Sequence, residues 1–309
     1  MKIAIVGAGA IGSFFGAKLA LAGNDVSLVA REQHVQAIRR SGLRLYEGNE
    51  VRTIAINAVT SSHELAGRDF DLVIITTKAY DAATASKIAV DLLQNNTIWL
   101  SIQNGLGMEE VISKATGKSN FIKGVTYCGA TLDEPGTVTG HGVKETILGY
   151  SKAVPTDSVK SVKETFELAG LPAHVTSNIL GAIWLKVLVN SGINALATVT
   201  NSTNGQLLES PTLRNLMLEI VREGFRVAQK SDIKLEADAE QLVLETAKMT
   251  SLNRNSMLVD IEKGKRTEID FINGAICVEG RRLGVDTPLN AMLTALIKGM
   301  EEQNRMRAR

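Results

Sequence analysis

Cysteine is scarce: Cys128 and Cys277 are the only two in 309 residues. Two thiols cannot build a disulfide framework, and neither has a partner at metal-ligand spacing, so a reducing cytoplasm is the expected location. Histidine is scarce too. His34, His63, His141 and His174 are scattered and never form an H-x-x-x-H or H-x-x-E arrangement, which leaves zinc hydrolysis, and a metal site in general, without sequence support. Charge of one sign is also missing, since 34 Lys+Arg face 33 Asp+Glu for a net charge of +1. Such a chain has no global field to steer nucleic acid or an anionic membrane, and neither is expected as a partner. The remaining composition, 44% hydrophobic and 22% charged, is that of a globular protein with a sizeable core, long enough for about two domains.

Long apolar runs are few, and two of them imitate membrane signals. Lys2, the apolar run to Ala17 and then Ala20-Leu21-Ala22 resemble a secretory leader with its cleavage site, but glycines at 7, 9, 12 and 16 would weaken a leader helix. Ile179 to Val199 is long enough to cross a bilayer. Lys186 near its centre would cost about 2.5 to 3.5 kcal/mol on insertion, and Asn190, Asn194 and Asn201 add to that, so a buried helix in water is expected.

In the first half, short apolar runs alternate with helical patterns, the signature of a mainly parallel sheet covered by helices. Ile3 to Val6, Val26 to Val29, Leu72 to Thr76 and Ile98 to Ser101 read as strands buried on both faces. Helical patterns fall at 10–22, 32–41, 80–93 and 107–114. Leu43 to Ala58, with Glu47-Gly48-Asn49 at its turn, reads as an inserted hairpin, and Gly136 to Gly149 as another, which makes the sheet mixed. A helix from Asp157 to Ala169 and a strand from Ala173 to Thr176 close this part. Beyond residue 177 the strand signal stops, and 179–200, 211–230, 238–249, 255–263, 268–283 and 288–302 have helical periodicity. Ser210-Pro211 and Thr287-Pro288 each place a capping residue before a proline at the first helical position. The expected division is 1–177 and 178–309, an α/β domain followed by an all-helical one, with the basic tail Arg305, Arg307, Arg309 a solvated end.

Lys2 to Val6 runs into Gly7-Ala8-Gly9-Ala10-Ile11-Gly12, a strand entering G-x-G-x-x-G and then a helix. In that context Gly7 permits the tight turn, Gly9 lets backbone approach a pyrophosphate, and Gly12 allows close packing, with the helix N-terminus facing the anion. Dinucleotide binding follows. At the end of the second strand, where an acidic residue would hold a ribose 2′-hydroxyl, stands Arg31, which suits the 2′-phosphate of NADP(H). Glu32 follows directly, and if it turned inward NAD(H), the less favoured alternative, would fit. Lys78 sits after the strand from Leu72, at the edge where ligands lie in such sheets, and is either a site residue or a surface lysine. Gln103-Asn104-Gly105-Leu106-Gly107 after the next strand offers neutral amides, or plain loop chemistry.

Lys186, Asn190 and Asn194 are spaced by four, each rotated about 40° from the last, so they form one polar stripe on an apolar helix. Alone they could be a structural network. With Asn204-Gly205, Asn253, Ser256 and Thr267-Glu268-Ile269-Asp270 they suit a small hydroxy-oxo acid.

Taken together, these motifs, with Thr76-Thr77-Lys78-Ala79 and Asn253-x-x-Ser256-Met257, resemble the ketopantoate reductase (2-dehydropantoate 2-reductase) family over nearly the whole chain. The resemblance implies an N-terminal Rossmann-like dinucleotide domain with a mixed sheet, a helical C-terminal domain and an active site between them. It implies NADPH-dependent reduction of 2-dehydropantoate to (R)-pantoate, with Lys186 as proton donor and Glu268 beside it. Asn104, Lys186, Asn190, Asn194, Asn204, Asn253 and Ser256 match substrate contacts; Gly7 to Gly12, Arg31, Lys78, Asn104, Ala130 and Glu268 match cofactor contacts. Glu32 and Lys265 stand where the family often has arginine. The expected partner is a small 2-oxo acid, the expected state a monomer or homodimer. A sister reductase for another branched 2-oxo acid, and a non-catalytic dinucleotide sensor, are the alternatives.

Overall fold

The computed structural model describes residues 1–150 and 156–307. The chain divides into two compact units, Met1–Gln103 with Met108–Ile179, and Asn104–Gly107 with Leu180–Arg309.

The first unit is a layered α/β structure. Its elements are β1 (Lys2–Val6), α1 (Ala10–Leu21), β2 (Asp25–Val29), α2 (Glu32–Ser41), the hairpin β3 (Leu43–Glu47) and β4 (Glu50–Ile54), β5 (Asn57–Val59), β6 (Leu72–Ile75), α3 (Ala82–Val90), β7 (Ile98–Ser101), α4 (Met108–Thr116), β8 (Ile122–Glu134), β9 (Thr137–Tyr150), α5 (Thr156–Leu168) and β10 (Ala173–Val175). All ten strands join one sheet in the order β4-β3-β9-β8-β7-β6-β1-β2-β5, with β10 on the side of β9. β1 is an interior strand, paired in parallel with β2 and β6, and in register Val6 stands beside Val29 and Ile75. Three strand ends therefore meet beside the glycine turn. The leader-like segment is this interior strand and its helix: α1 buries Phe14, Phe15, Ala17 and Leu19, and Phe15 meets Phe166 of α5 edge-on at 5.4 Å.

The sheet is mixed, as the hairpin signal at Glu47-Gly48-Asn49 requires. The second expected hairpin differs. Thr137 to Gly149 belong to one continuous strand, β9, whose antiparallel partner is β8, and the turn is at Pro135-Gly136. β8 carries glycines at 124 and 129 and register shifts at Cys128, which interrupt the alternation by which a strand is read from sequence. β5, inside the other expected hairpin, pairs instead with β2 at the far edge.

The second unit contains α6 (Ile179–Val199), α7 (Gln206–Glu209), α8 (Pro211–Lys230), α9 (Ala239–Met249), α10 (Ser256–Glu262), α11 (Asn273–Leu283) and α12 (Pro288–Arg307), and no strand among its described residues. α6 is long and apolar enough to span a membrane by composition, yet 72% of its most apolar window is buried within the protein. That burial is what an all-round apolar helix needs. Ser210 caps α8 as expected, its hydroxyl accepting from Leu213 N at 3.3 Å. At α12 the first-turn amides of Leu289 and Asn290 instead take the buried carboxylate of Glu223, each at 3.0 Å. The helix expected over 268–283 is two pieces, a 3-10 turn at Ile269–Phe271 and α11, broken at Ile272 with φ −108° and ψ −94°. Arg305 and Arg307 are exposed at the end of α12, and Arg309 lies outside the described residues.

Candidate active site

In the first unit the glycine turn is shaped by different neighbours at each glycine. Gly7 has φ +94°, and a Cβ on it would lie 2.2 Å from Thr77 Cγ2 and 2.9 Å from Thr77 N. A Cβ on Gly12 would lie 2.4 Å from Thr76 Oγ1 and 2.8 Å from Gly7 O. Both are glycine because the protein's own atoms leave no room. Gly9 is exposed, and a Cβ there would meet nothing nearer than Gly7 O at 3.9 Å. Gly9 is also the N-cap of α1 and brings no side-chain acceptor, so the first-turn amides of that helix lack a side-chain cap. Open space in front of uncapped amides is a cradle of the right chemistry for a phosphate.

Arg31 follows β2 as the extended N-cap of α2; it is exposed and has no ion pair among the described residues. Glu32 accepts from Gln36 Nε2 at 2.6 Å one turn along the same helix, so it is turned along α2. Lys78 follows β6 and is half-buried. Gln103, one of the neutral amides, is tied down: its Nε2 donates to Thr77 Oγ1 at 2.9 Å and to Thr77 O at 3.1 Å. Ala130 lies on β8 opposite Gly140 of β9, next to a register shift. His34, three residues beyond Arg31, is buried and its imidazole pKa is lowered by that burial.

In the second unit the structure brings together three residues far apart in the chain. Lys186 Nζ on α6 donates to Asn104 Oδ1 at 2.6 Å, and Asn104 Nδ2 donates to Glu268 Oε2 at 3.3 Å. An ammonium only donates and a carboxylate only accepts, so the two partners fix which way the Asn104 amide faces. Asn104 is placed by the loop after it. Leu106 N donates to Phe271 O at 2.9 Å, and Gly105, at φ +95°, passes so close that a Cβ would lie 2.6 Å from Phe271 Cβ. Glu268 is buried beside Thr267, whose backbone N and hydroxyl both donate to Glu301 Oε1 at 2.7 Å. Glu301 was not singled out in the sequence, because a glutamate on the last helix carries no motif.

Asn190 is half-buried and Asn194 buried on α6, one and two turns beyond Lys186. Asn204 is held to the loop before α10: its backbone N donates to Asn253 O at 3.0 Å and its Nδ2 to Thr250 Oγ1 at 2.9 Å. Its Oδ1 is buried and has no partner among the described residues. Asn253 and Ser256 are exposed, Ser256 as the first residue of α10. Among the described residues no cluster of His, Cys, Asp or Glu could hold a metal ion.

The likeness to known proteins runs along both units. Residues 3–153 match the family described as Ketopantoate reductase PanE/ApbA, and residues 178–301 match its C-terminal counterpart. The 2-dehydropantoate 2-reductase of Pyrococcus horikoshii is 42% identical over 301 residues, 97% of this chain and 98% of that protein. Among solved structures, the PanE/ApbA family ketopantoate reductase from Ralstonia eutropha has a TM-score of 0.91 at 32% identity, covering 99% of this chain and 100% of its own. D-mandelate dehydrogenase, in a ternary structure with NADH and anilino(oxo)acetate, has a TM-score of 0.90 at 31% identity, covering 99% of each chain. With both halves of the chain matched and relatives of this identity along its whole length, the protein belongs to the PanE/ApbA family of ketopantoate reductases.

Proposed function

We propose that this protein reduces 2-dehydropantoate to (R)-pantoate with NADPH, the reductive step towards pantothenate, with 1–177 as the NADP-binding and 178–309 as the substrate-binding domain. The observation that carries the reading is the Lys186-Asn104-Glu268 chain of hydrogen bonds. When bound, NADPH supplies the hydride that goes to the 2-oxo carbon. Lys186 hydrogen-bonds the carbonyl oxygen, offsets the negative charge that develops there and gives up the proton that completes the alcohol. Asn104 holds the lysine nitrogen in place, and Glu268, through Asn104, keeps that amide oriented. Ser256 and an asparagine amide take the substrate carboxylate, and Asn190 or Asn194 the 4-hydroxyl; Asn204, whose Oδ1 has no partner among the described residues, and Asn253 complete the set.

For the dinucleotide, Gly7 to Gly12 hold the pyrophosphate, Arg31 takes the 2′-phosphate, and Lys78, Ala130, Asn104 and Glu268 complete the contacts. Preference for NADPH is supported by an exposed Arg31 without an ion pair and by Glu32 being turned along α2. The protein acts on this small 2-oxo acid in the cytoplasm as a monomer or homodimer, with no nucleic acid or membrane as partner. A second reading, reduction of another 2-oxo acid with NADH, is favoured by the likeness to D-mandelate dehydrogenase. Oxidation of NADPH and of NADH, each followed with 2-dehydropantoate and with phenylglyoxylate, separates the two. The first reading expects the highest kcat/KM with 2-dehydropantoate and NADPH; a higher value with phenylglyoxylate and NADH would replace it.

A further inference from the structure

His34 lies outside every role assigned above, yet it is the hub of a buried relay. Its Nδ1 accepts from the backbone N of Gly136, in the turn between β8 and β9, at 2.9 Å, and its Nε2 is 2.9 Å from Ser13 Oγ on α1. Ser13 Oγ in turn donates to Ala8 O, inside the glycine turn, at 3.2 Å. The proton positions follow from these partners. A backbone N–H can only donate, so Nδ1 is unprotonated; the neutral ring then carries its proton on Nε2 and donates to Ser13, leaving the hydroxyl hydrogen for Ala8 O. Ser13 and His34 are 0% and 5% exposed, so no water substitutes for a lost partner. Gly136 is held from its other side as well, since its O accepts from Arg44 N at 2.9 Å.

We propose that His34 is a positioning residue for the dinucleotide, its neutral imidazole latching the glycine turn to the head of α2 and to the β8–β9 turn. The proposal rests on the reading that the glycine turn binds the dinucleotide. Arg31 and that turn are then set in one geometry, because His34 N donates to Arg31 O at 3.0 Å in the first turn of α2. Proton uptake by His34 would place an Nδ1–H against the Gly136 N–H, two donors facing each other, and release the latch. The charged groups nearest it along its own helix are Arg31 and Glu32, and those flanking Gly136 are Arg44 and Glu134, which pair with each other. Residues 7–13 carry no charge. Burial opposes the charged ring, so the latch holds near neutral pH and yields only on acidification.

Three variants test this: His34→Gln, whose amide reaches towards Ser13; His34→Asn, whose amide reaches towards Gly136; and Ser13→Ala, which removes only the hydroxyl. Dissociation constants for NADPH and NADH are measured by nicotinamide fluorescence between about pH 8 and pH 5, with kcat at saturation. The expected result is binding of both dinucleotides weakened about tenfold at the upper pH, the equivalent of one buried hydrogen bond, with kcat nearly unchanged. Wild-type affinity should fall on acidification for NADH as well as NADPH, and His34→Gln should lack that fall for NADH. The NADH arm matters because the 2′-phosphate of NADPH, a phosphate monoester, itself titrates at about pH 6. Wild-type dissociation constants in those variants that fold, with only a lower melting temperature, would overturn the proposal by making the relay purely structural. A wild-type protein that binds neither dinucleotide would instead overturn the reading of the glycine turn.

Discussion

The glycine turn of the first unit and the polar stripe of α6 in the second are opposite ways of building a candidate site. The turn works by subtraction: Gly7 and Gly12 give up side chains to Thr77 and Thr76, and Gly9 gives one up to open space. The stripe works by addition, placing Lys186, Asn190 and Asn194 on a helix that is mostly apolar and mostly buried. The turn is local, spanning six residues and the ends of the two neighbouring strands, β2 and β6. The second cluster is assembled from residues 104, 186 and 268 and exists only once the helical unit has folded. Perturbing the turn should therefore act on cofactor affinity and stability, and perturbing the stripe on turnover.

The largest effect is expected where the comparison is sharpest. Lys186→Ala should lower kcat by about 100-fold or more, the usual loss on removing a general acid, while leaving NADPH affinity close to wild type. Steady-state kinetics paired with direct NADPH binding check both halves; unchanged turnover would move the proton donor elsewhere. Arg31→Ala comes next and tests the other region. Losing a charge-assisted contact to phosphate is worth about 1.5 to 3 kcal/mol, so NADPH binding should weaken about 10- to 100-fold while NADH binding barely moves. Equal weakening of both would mean that the 2′-phosphate is read by another group.

The same contrast governs what could be read before the structure. The strand-turn-helix shape of the glycine turn was legible because it is written in adjacent residues, and the spacing of Lys186, Asn190 and Asn194 was legible because helical geometry converts spacing into a face. The partners were not. Nothing local joins Asn104 to Lys186 and Glu268, and the contact depends on Gly105 passing against Phe271. Caps supplied from another element were hidden for the same reason, as with Glu223 at the head of α12. β8 was missed because glycines and register shifts erase its alternation, although Pro135-Gly136 marks the turn after it. The relay through His34 joins residues 8, 13, 34 and 136, and a lone histidine in a sequence says nothing of that.

The smallest expected change separates the two kinds of glycine within the turn itself. In Gly12→Ala the new methyl carbon would have to sit 2.8 Å from Gly7 O, a backbone atom that cannot swing aside, and 2.4 Å from Thr76 Oγ1. Overpacking of that kind costs about 1 to 3 kcal/mol, so the melting temperature should drop by several degrees, and affinity should fall with it. Gly9→Ala meets no such steric obstacle: its φ is −81°, not positive, and its nearest neighbour would be 3.9 Å away. Its stability should fall less than that of Gly12→Ala, since the gain of about 0.4 to 1 kcal/mol through the unfolded chain is set only against a ψ of −149°, outside the α and β regions. Dinucleotide affinity should nevertheless fall, because the methyl occupies the space through which a phosphate reaches the amides of α1. A Gly9→Ala protein that is stable and binds NADPH as tightly as wild type would show that the open space above the turn is not where the phosphate lies.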